Sequence, residues 1–149
     1  MTEPQDGVDE GPQVHRGLNG VFFDRSAASF IDGREGILLY GGYSIHELAS
    51  QSTFEEVGYL LLHGELPNTS ELKAHTQALA DARNLPDKII DLIRLISSAH
   101  PMDVLRTATS ALSTFDLDVS DNSREATLRK GIRLTAQVPS IVTAHHRIR

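Results

Sequence analysis

The chain has 149 residues and a net charge of −6, and 40% of its residues are hydrophobic, which is typical of one soluble globular domain. The absence of cysteine excludes disulfides, thiolate nucleophiles and cysteine-bound zinc. The apolar runs are far shorter than the roughly 20 residues that span a bilayer, and residues 1–12 carry acids but no base, unlike a signal or transit peptide. We therefore expect a cytoplasmic protein without a membrane contact.

The charge is distributed unevenly, because residues 123–149 hold six basic side chains against the single acid Glu125. A basic end on an acidic chain is one signature of binding to nucleic acid or to an acidic ligand. No aromatic side chain is interleaved with these bases, however, as stacking on nucleobases would require. We interpret the basic segment as a solvated helix face and expect no nucleic-acid partner.

The first part of the chain contains one candidate β-hairpin. Residues 1–16 are polar, include two prolines and two glycines and lack periodicity, so we predict a disordered tail there. Residues 28–32 and 37–40 resemble short strands on either side of the glycine-containing turn 33–36, which predicts a β-hairpin. The glycine pair at 41–42 is expected to end the second strand.

The sequence after the hairpin carries repeated signals for helix starts. In a capping box, a hydroxyl or amide side chain and a glutamate three residues later each accept a hydrogen bond from an otherwise unpaired backbone N–H. Three such pairs predict helices over about 45–49, 54–63 and 69–83, with Gly64 at the left-handed position that ends the second helix. The pairs are Ser44 with Glu47, Thr53 with Glu56, and Asn68 with Glu71.

Apolar residues at helical spacing predict three further helices and the buried face of each. A fourth helix begins at Pro86 and a fifth at Pro101, and an acidic loop follows over residues 116–122. The last helix starts near Ser123 and is expected to be interrupted or kinked at Pro139. The expected buried positions are Leu72, Thr76 and Leu79 in the third helix, Leu85, Ile89, Leu92, Ile93 and Ile96 in the fourth, Met102, Leu105, Thr109 and Leu112 in the fifth, and Leu128, Ile132, Thr135 and Ala136 in the last.

The seven histidines are the first candidates for metal or acid–base chemistry. His145 and His146 are adjacent and point about 100 degrees apart on a helix, and no pair has the one-turn spacing of a zinc site. We interpret His63 and His75 as surface or helix-end residues and His100 as a helix cap. No phosphate loop, dinucleotide glycine pattern or nucleophile motif is present. We therefore predict no catalytic, cofactor-binding or metal-binding residue in this chain.

Five segments, in order, resemble the beginning of a bacterial citrate synthase. The nearest subgroup resembles the short bacterial enzymes that include 2-methylcitrate synthases. The family usually has an arginine where this sequence has Gly41, and any contact made by that arginine is absent here. The segments are GLNGV at 17–21 with IDG at 31–33, LYGGYSIHELA at 39–49, STFEEV at 52–57 with LLLHGELP at 60–67, HPMDVLRTA at 100–108, and IRL at 132–134 with VPSIV at 138–142.

The resemblance implies a mostly helical dimeric enzyme that condenses an acyl-CoA with a 2-oxo acid such as oxaloacetate. A carboxylate must remove a proton next to the thioester carbonyl, and histidines must stabilise the enolate oxygen and polarise the ketone. In the family these groups and the CoA-binding loops lie in the second half of the chain, and no histidine here falls in a matching segment. This portion is therefore expected to bind no cofactor, with acetyl-CoA or propionyl-CoA the substrate of the full-length enzymes.

The resemblance also sets the expected architecture and partners. We expect an all-α fold with a small N-terminal β-hairpin, in which residues 17–149 form an incomplete citrate-synthase-like large domain. Helices 102–115 and 123–144 would face a partner, either in a homodimer or on a full-length synthase subunit. The isolated chain is expected to be inactive. The alternative is a non-catalytic protein that binds a full-length synthase through these helices.

Overall fold

The computed structural model describes residues 17, 20, 21 and 24–149. The predicted disordered tail, 1–16, lies outside the described residues. Within the described part, a small sheet is followed by six α-helices, which confirms the all-α class. None of these helices combines the length and the hydropathy that crossing a membrane requires.

The predicted hairpin is present. Strand β1, Ser29–Asp32, pairs antiparallel with β2, Ile37–Tyr40. At the turn, the Asp32 carboxylate accepts hydrogen bonds from the backbone N–H groups of Arg34 and Glu35 at 2.9 and 3.1 Å. This aspartate fixes the turn because its short side chain reaches the N–H groups that the turn leaves unpaired.

A third strand, which the sequence did not predict, adds to the hairpin. Strand β3, Tyr43–Ser44, pairs with the end of β2, so the strand order is β1-β2-β3. The glycines end β2 as predicted, and they also turn the chain back on itself, with φ of +54° at Gly41 and +88° at Gly42. Glycine adopts these left-handed conformations without the clash that a Cβ atom would make.

The first helix, α1, spans Ile45–Gln51 and directly follows β3. Ser44 caps it by accepting a hydrogen bond from the N–H of His46 at 3.3 Å. The return bond to Glu47 that the spacing predicts is not among the described contacts. The predicted start is therefore right, but the cap has one hydrogen bond rather than two.

The next two helices begin with complete capping boxes, as predicted. Helix α2 spans Phe54–His63 and α3 spans Thr69–Ala82. The return hydrogen bonds from the cap N–H to the glutamate carboxylate measure 2.7 Å at Thr53 and 2.8 Å at Asn68. Gly64, with φ of +92°, ends α2. Both helix starts are thus specified by residues close in sequence.

The last three helices form most of the core. Helix α4 spans Asp87–Leu95, α5 spans Pro101–Leu112 with a 3₁₀ turn at Ser113–Phe115, and α6 spans Arg124–Ile148. The expected interruption at Pro139 does not occur, and α6 is continuous through it. Because α6 packs along α3, α4 and α5, tertiary contacts on both sides of the proline outweigh the one hydrogen bond it removes.

The central hydrophobic cluster lies between α4, α5 and α6. In α5 the buried stripe differs from the expected one, since Met102 is 63% exposed whereas Val104 and Ala108 are buried. Both stripes have helical spacing and share Leu112. Val104 and Ala108 belong to the cluster that α5 shares with α4 and α6, so packing selects this stripe. The cluster consists of Ile89, Ile93, Val104, Ala108, Leu112 and Ile141.

Helix α2 connects the sheet to the other helices. On the sheet side, Gly41 lies so close to buried Leu60 that a Cβ atom at residue 41 would be 2.7 Å from Leu60 Cδ1. On the opposite side, a Cβ atom at Gly131 of α6 would be 3.1 Å from Leu62 Cδ2. Helix α2 also packs against α3. The sheet is therefore attached to the helical core through the contacts that α2 makes with α3 and α6.

Candidate functional site

The histidines do not converge on one site. His46 and His146 are exposed. His100 caps α5 as predicted, since its Nδ1 accepts a hydrogen bond from the N–H of Met102 at 3.3 Å. His15 lies outside the described residues. Across the part of the chain that the structure describes, no group of three or more His, Asp or Glu side chains is placed to hold a metal ion.

His145 has a structural role that its sequence context does not indicate. It is buried near the end of α6, and its Nε2 lies 3.0 Å from the carbonyl oxygen of Ser97. Ser97 belongs to the segment between α4 and α5, so this contact fastens α6 to that connection. The neighbouring His146 is exposed, and only the tertiary packing distinguishes the two rings.

His75 is buried between α3 and α2, so its predicted surface or helix-end position is wrong. The side chain is only 4% exposed, whereas Thr76, expected on the buried face, is exposed. The ring of Tyr59 meets His75 edge-on with centroids 5.6 Å apart and stacks on His63 at 4.0 Å. Both positions 75 and 76 fit the helical stripe, and the aromatic rings on α2 favour the imidazole.

The surroundings of His75 favour its neutral form. Burial lowers the pKa of His75, and the nearby imidazole of His63 lowers it further, while Glu55 acts in the opposite direction. No hydrogen-bond partner for Nε2 is found among the described residues. A Cβ atom at Gly58 would lie 3.6 Å from this nitrogen, so Nε2 points at the backbone of α2. This geometry fits a packed neutral ring better than a catalytic acid.

The acidic loop and the basic helix form an ion-pair network. Arg133 of α6 donates to Asp116 and Asp118 at 2.6 and 2.9 Å, and Arg129 donates twice to Asp118 at 3.0 and 2.8 Å. These hydrogen bonds from Arg129 and Arg133 hold the pKa of Asp118 well below its usual range. The basic segment is solvated at Arg129, which is exposed, whereas Arg133 is partly buried, and both arginines are paired with the acidic loop, which the sequence did not predict.

An open groove of about 540 Å³ lies between α5, the acidic loop and α6. Its volume is in the range of small-molecule pockets. Its charged lining residues are Asp116, Lys130 and Arg133. The rest is mainly apolar, and Leu112 of α5 and Leu134 of α6 contribute to it. Both helices that were expected to face a partner therefore line the same groove.

The two segments that were expected to face a partner expose large apolar side chains, two of which also line the groove. Four large ones within residues 102–115 and 123–144 are between 42% and 63% exposed. Contiguous exposed apolar surface is a feature of protein-contact sites. The four side chains are Met102, Phe115, Leu134 and Val142.

Sequence reasoning missed two of these arrangements for different reasons. The ion pairs had a visible signal, since acids at 116 and 118 precede bases at 129 and 133, but their pairing depends on how the loop folds onto α6. The contact of Tyr59, His63 and His75 had a weaker signal. Its members come from two helices whose packing angle is not encoded in either helix alone.

Comparisons with known proteins match nearly the whole described chain. A family model described as citrate synthase, C-terminal domain, matches residues 17–149. A citrate synthase of Haloferax volcanii is 44% identical over 144 residues, which is 92% of this chain and 38% of that protein. A 2-methylcitrate synthase of Mycobacterium tuberculosis is 38% identical over 150 residues, which is 100% of this chain and 37% of that protein. The chain thus spans somewhat over a third of the length of these relatives.

Solved structures give the same result. A crystal structure of citrate synthase from Pyrobaculum aerophilum superposes with a TM-score of 0.86 at 35% identity, and the match covers 91% of this chain and 36% of that one. The citrate synthase of Thermotoga maritima superposes with a TM-score of 0.77 at 31% identity, over 91% of this chain and 35% of that one. The sequence comparison and the structure comparison therefore both find citrate synthases as relatives.

Proposed function

Because the chain belongs to the citrate synthase family, we propose that it is the N-terminal portion of a transferase that condenses an acyl-CoA with oxaloacetate. The family match over residues 17–149 is the observation that carries the family, and the five segments that resemble the beginning of a synthase support the N-terminal placement. Relatives named citrate synthase and relatives named 2-methylcitrate synthase match at similar identities, 44% and 38%. Acetyl-CoA and propionyl-CoA are accordingly the two proposed acyl donors.

The 149 residues alone are proposed to be inactive. The condensation needs a carboxylate base next to histidines that stabilise the enolate and polarise the ketone. The described histidines have other surroundings: His75 is packed between two helices, His100 caps α5, and His145 contacts a backbone carbonyl. Their positions support a scaffold role for this portion, with the reacting groups supplied by other parts of a full-length synthase.

An activity assay tests this proposal. The purified chain is incubated with oxaloacetate and either acetyl-CoA or propionyl-CoA, and released thiol is followed with a colorimetric reagent. The full-length Haloferax volcanii enzyme serves as the active control, and circular dichroism confirms that the chain is helical. We expect no thiol release above the rate without protein. Oxaloacetate-dependent release by the isolated chain would refute its proposed inactivity.

The proposed partner is a second synthase subunit, in a homodimer in the cytoplasm. Helices 102–115 and 123–144 are proposed to make the contact. Their exposed apolar side chains, Met102, Leu134 and Val142 among them, support this assignment. Large, stable subunit interfaces are more apolar than the ordinary protein surface, and so match such side chains.

A second candidate function is supported by the same surface. The chain would be a non-catalytic protein that binds a full-length synthase through these helices and changes its activity. Immobilised chain should then retain a full-length synthase at micromolar concentration, and Val142→Lys should reduce retention. Leu95→Lys, a matched change at an exposed leucine outside both ranges, should leave it unchanged. Absence of retention by the unmodified chain would exclude this candidate.

A further inference from the structure

Helix α2 is held between two parts of the molecule by few contacts. Leu60 packs under the sheet at Gly41, and Leu62 packs against Gly131 of α6. The central hydrophobic cluster is built from α4, α5 and α6 and does not include α2. A change at the contact between α2 and α3 would therefore loosen the sheet, α1 and α2 without removing the central cluster.

That contact contains the buried histidine. His75 is 4% exposed, lies edge-on to Tyr59 with ring centroids 5.6 Å apart, and is 6.5 Å from the ring of His63. Its Nε2 faces the backbone of α2 at Gly58 and lacks a hydrogen-bond partner among the described residues. A proton added to this imidazole would place a positive charge and an unpaired donor inside the helix–helix contact, which is unfavourable.

We propose that the contact between α2 and α3 is a pH-controlled joint, which holds the sheet, α1 and α2 on the other helices at neutral pH and releases them when His75 takes up a proton. The released unit would comprise residues 29–63, and α3 to α6 would remain packed. This inference does not depend on the proposed enzymatic function, because it uses only contacts within this chain.

The charged groups near His75 do not offset the effect of burial on its pKa. On α2, His63 opposes protonation of His75 and Glu55 favours it, but Glu55 is the weakest of the three influences on its pKa. Tyr59 is itself near Glu71 of α3 and Glu65 of the connection between the helices. Glu55 and Arg83, the residue that follows α3, line the gap in which α2, α3 and α6 meet. On the α6 side this gap is lined by uncharged residues, namely Thr135, Ala136, Pro139, Ser140 and Thr143.

The direction of the pH effect follows from the lowered pKa of His75. A histidine whose pKa is lower in the docked state than its ordinary value of 6.5 stabilises docking fully above that value. The stabilisation is lost as the pH falls below 6.5, until the pKa of the docked state is reached. Between these two pKa values, each fall of one pH unit lowers the equilibrium constant for docking by a factor of about ten.

Hydrogen–deuterium exchange at pH 7.5 and pH 5.5 tests the joint, with rates corrected for the intrinsic effect of pH on exchange. We expect protection in α2 and the sheet to fall at pH 5.5 by a factor of up to about ten, and protection in α4 and α5 to be retained. The variant His75→Phe keeps an aromatic ring but cannot titrate, so its protection in α2 should be equal at both pH values. His46→Gln, at an exposed histidine, should behave as the unmodified chain does.

Three outcomes would overturn the proposal. These are equal protection of α2 at both pH values in the unmodified chain, a loss spread evenly over α4 and α5, and a loss that persists in His75→Phe. If His75→Phe does not fold, an NMR titration of the imidazole signals in the unmodified chain decides. Titration of His75 below pH 6.5 together with loss of α2 protection supports the joint. If His75 titrates at the ordinary histidine pKa and α2 keeps its protection from exchange, the proposal is contradicted.

Discussion

Gly41 combines a left-handed conformation with a close contact, so substitution should affect stability in two ways. Its φ is +54°, and a Cβ atom would lie 2.7 Å from Leu60 Cδ1, a side chain with 1% exposure. We expect Gly41→Ala to lower the free energy of unfolding by about 2 kcal/mol or more, from backbone strain and displacement of Leu60. Urea unfolding followed by circular dichroism measures the change.

Two other glycines provide matched controls for Gly41. Gly42 has φ of +88° but nothing within 4 Å of its Cβ position, so Gly42→Ala should cost only the conformational strain, about 1 kcal/mol. Gly33 has neither feature, and Gly33→Ala should be nearly neutral. Equal effects of the changes at 41 and 42 would show that the contact with Leu60 is unimportant.

Asp118 should make the stability of the chain depend on acidic pH. Hydrogen bonds from Arg129 and Arg133 hold its pKa below the usual 3.8, so its ionised form is stabilised in the folded state. This contribution is complete above the ordinary pKa and is lost as the pH falls below it. We expect Asp118→Asn to lower the urea midpoint at pH 7 and to flatten the decline in stability below pH 4 that the unmodified chain shows.

The control for Asp118 is another aspartate–arginine pair. Asp91 and Arg94 are 68% and 61% exposed and lie one turn apart on α4, so Asp91→Asn should change the midpoint little. High salt should reduce the effect at Asp118, because its arginine partners are partly exposed. A decline below pH 4 that is the same in Asp118→Asn and in the unmodified chain would contradict the assignment to this carboxylate.

At the scale of elements, the complete capping boxes should contribute more than the partial cap. Thr53 both accepts from and donates to its box in α2, whereas Ser44 makes one hydrogen bond of 3.3 Å. We expect Thr53→Ala to cost about 1 kcal/mol and Ser44→Ala about half of that. Thermal unfolding at pH 7 measures both. An equal cost at the two positions would mean that the additional hydrogen bond that the Thr53 hydroxyl donates to the Glu56 carboxylate, at 3.0 Å, adds nothing.

The helix starts could be predicted because their causes lie within a few residues of sequence. The boundaries of α2 and α3 follow from Thr53, Gly64 and Asn68 alone. The course of α6 through Pro139 could not be predicted in this way, because its continuity comes from packing against three other helices. The same holds for the buried stripe of α5, where two stripes fit one helix and the neighbouring helices select between them.

At the scale of the whole molecule, the family was readable from the sequence but the contacts of the candidate site were not. Segment order indicated a citrate synthase, and the match over residues 17–149 confirmed it. His75 could not be placed by the same reasoning, since its burial depends on Tyr59 and His63 from another helix. The groove likewise requires α5, the acidic loop and α6 to be assembled before it exists.

The apolar surface around this groove should make the isolated chain associate with itself. Phe115, Val119 and Leu134 line the groove and are 42%, 53% and 42% exposed, and the neighbouring Leu117 is fully exposed. Water in contact with such a patch favours its burial against another apolar surface. We expect the sedimentation coefficient to rise with protein concentration and a dye for exposed apolar surface to bind.

Substitutions test whether the groove is the surface through which the chain associates with itself. Leu134→Lys places a charge in the patch and should shift association to concentrations higher by about tenfold, which corresponds to about 1.4 kcal/mol. Leu95→Lys introduces the same charge at a leucine that is 80% exposed outside residues 102–115 and 123–144, and should leave association unchanged. If both variants weaken association equally, net charge rather than the groove controls it. A chain that stays monomeric and binds no dye does not use this surface for self-contact.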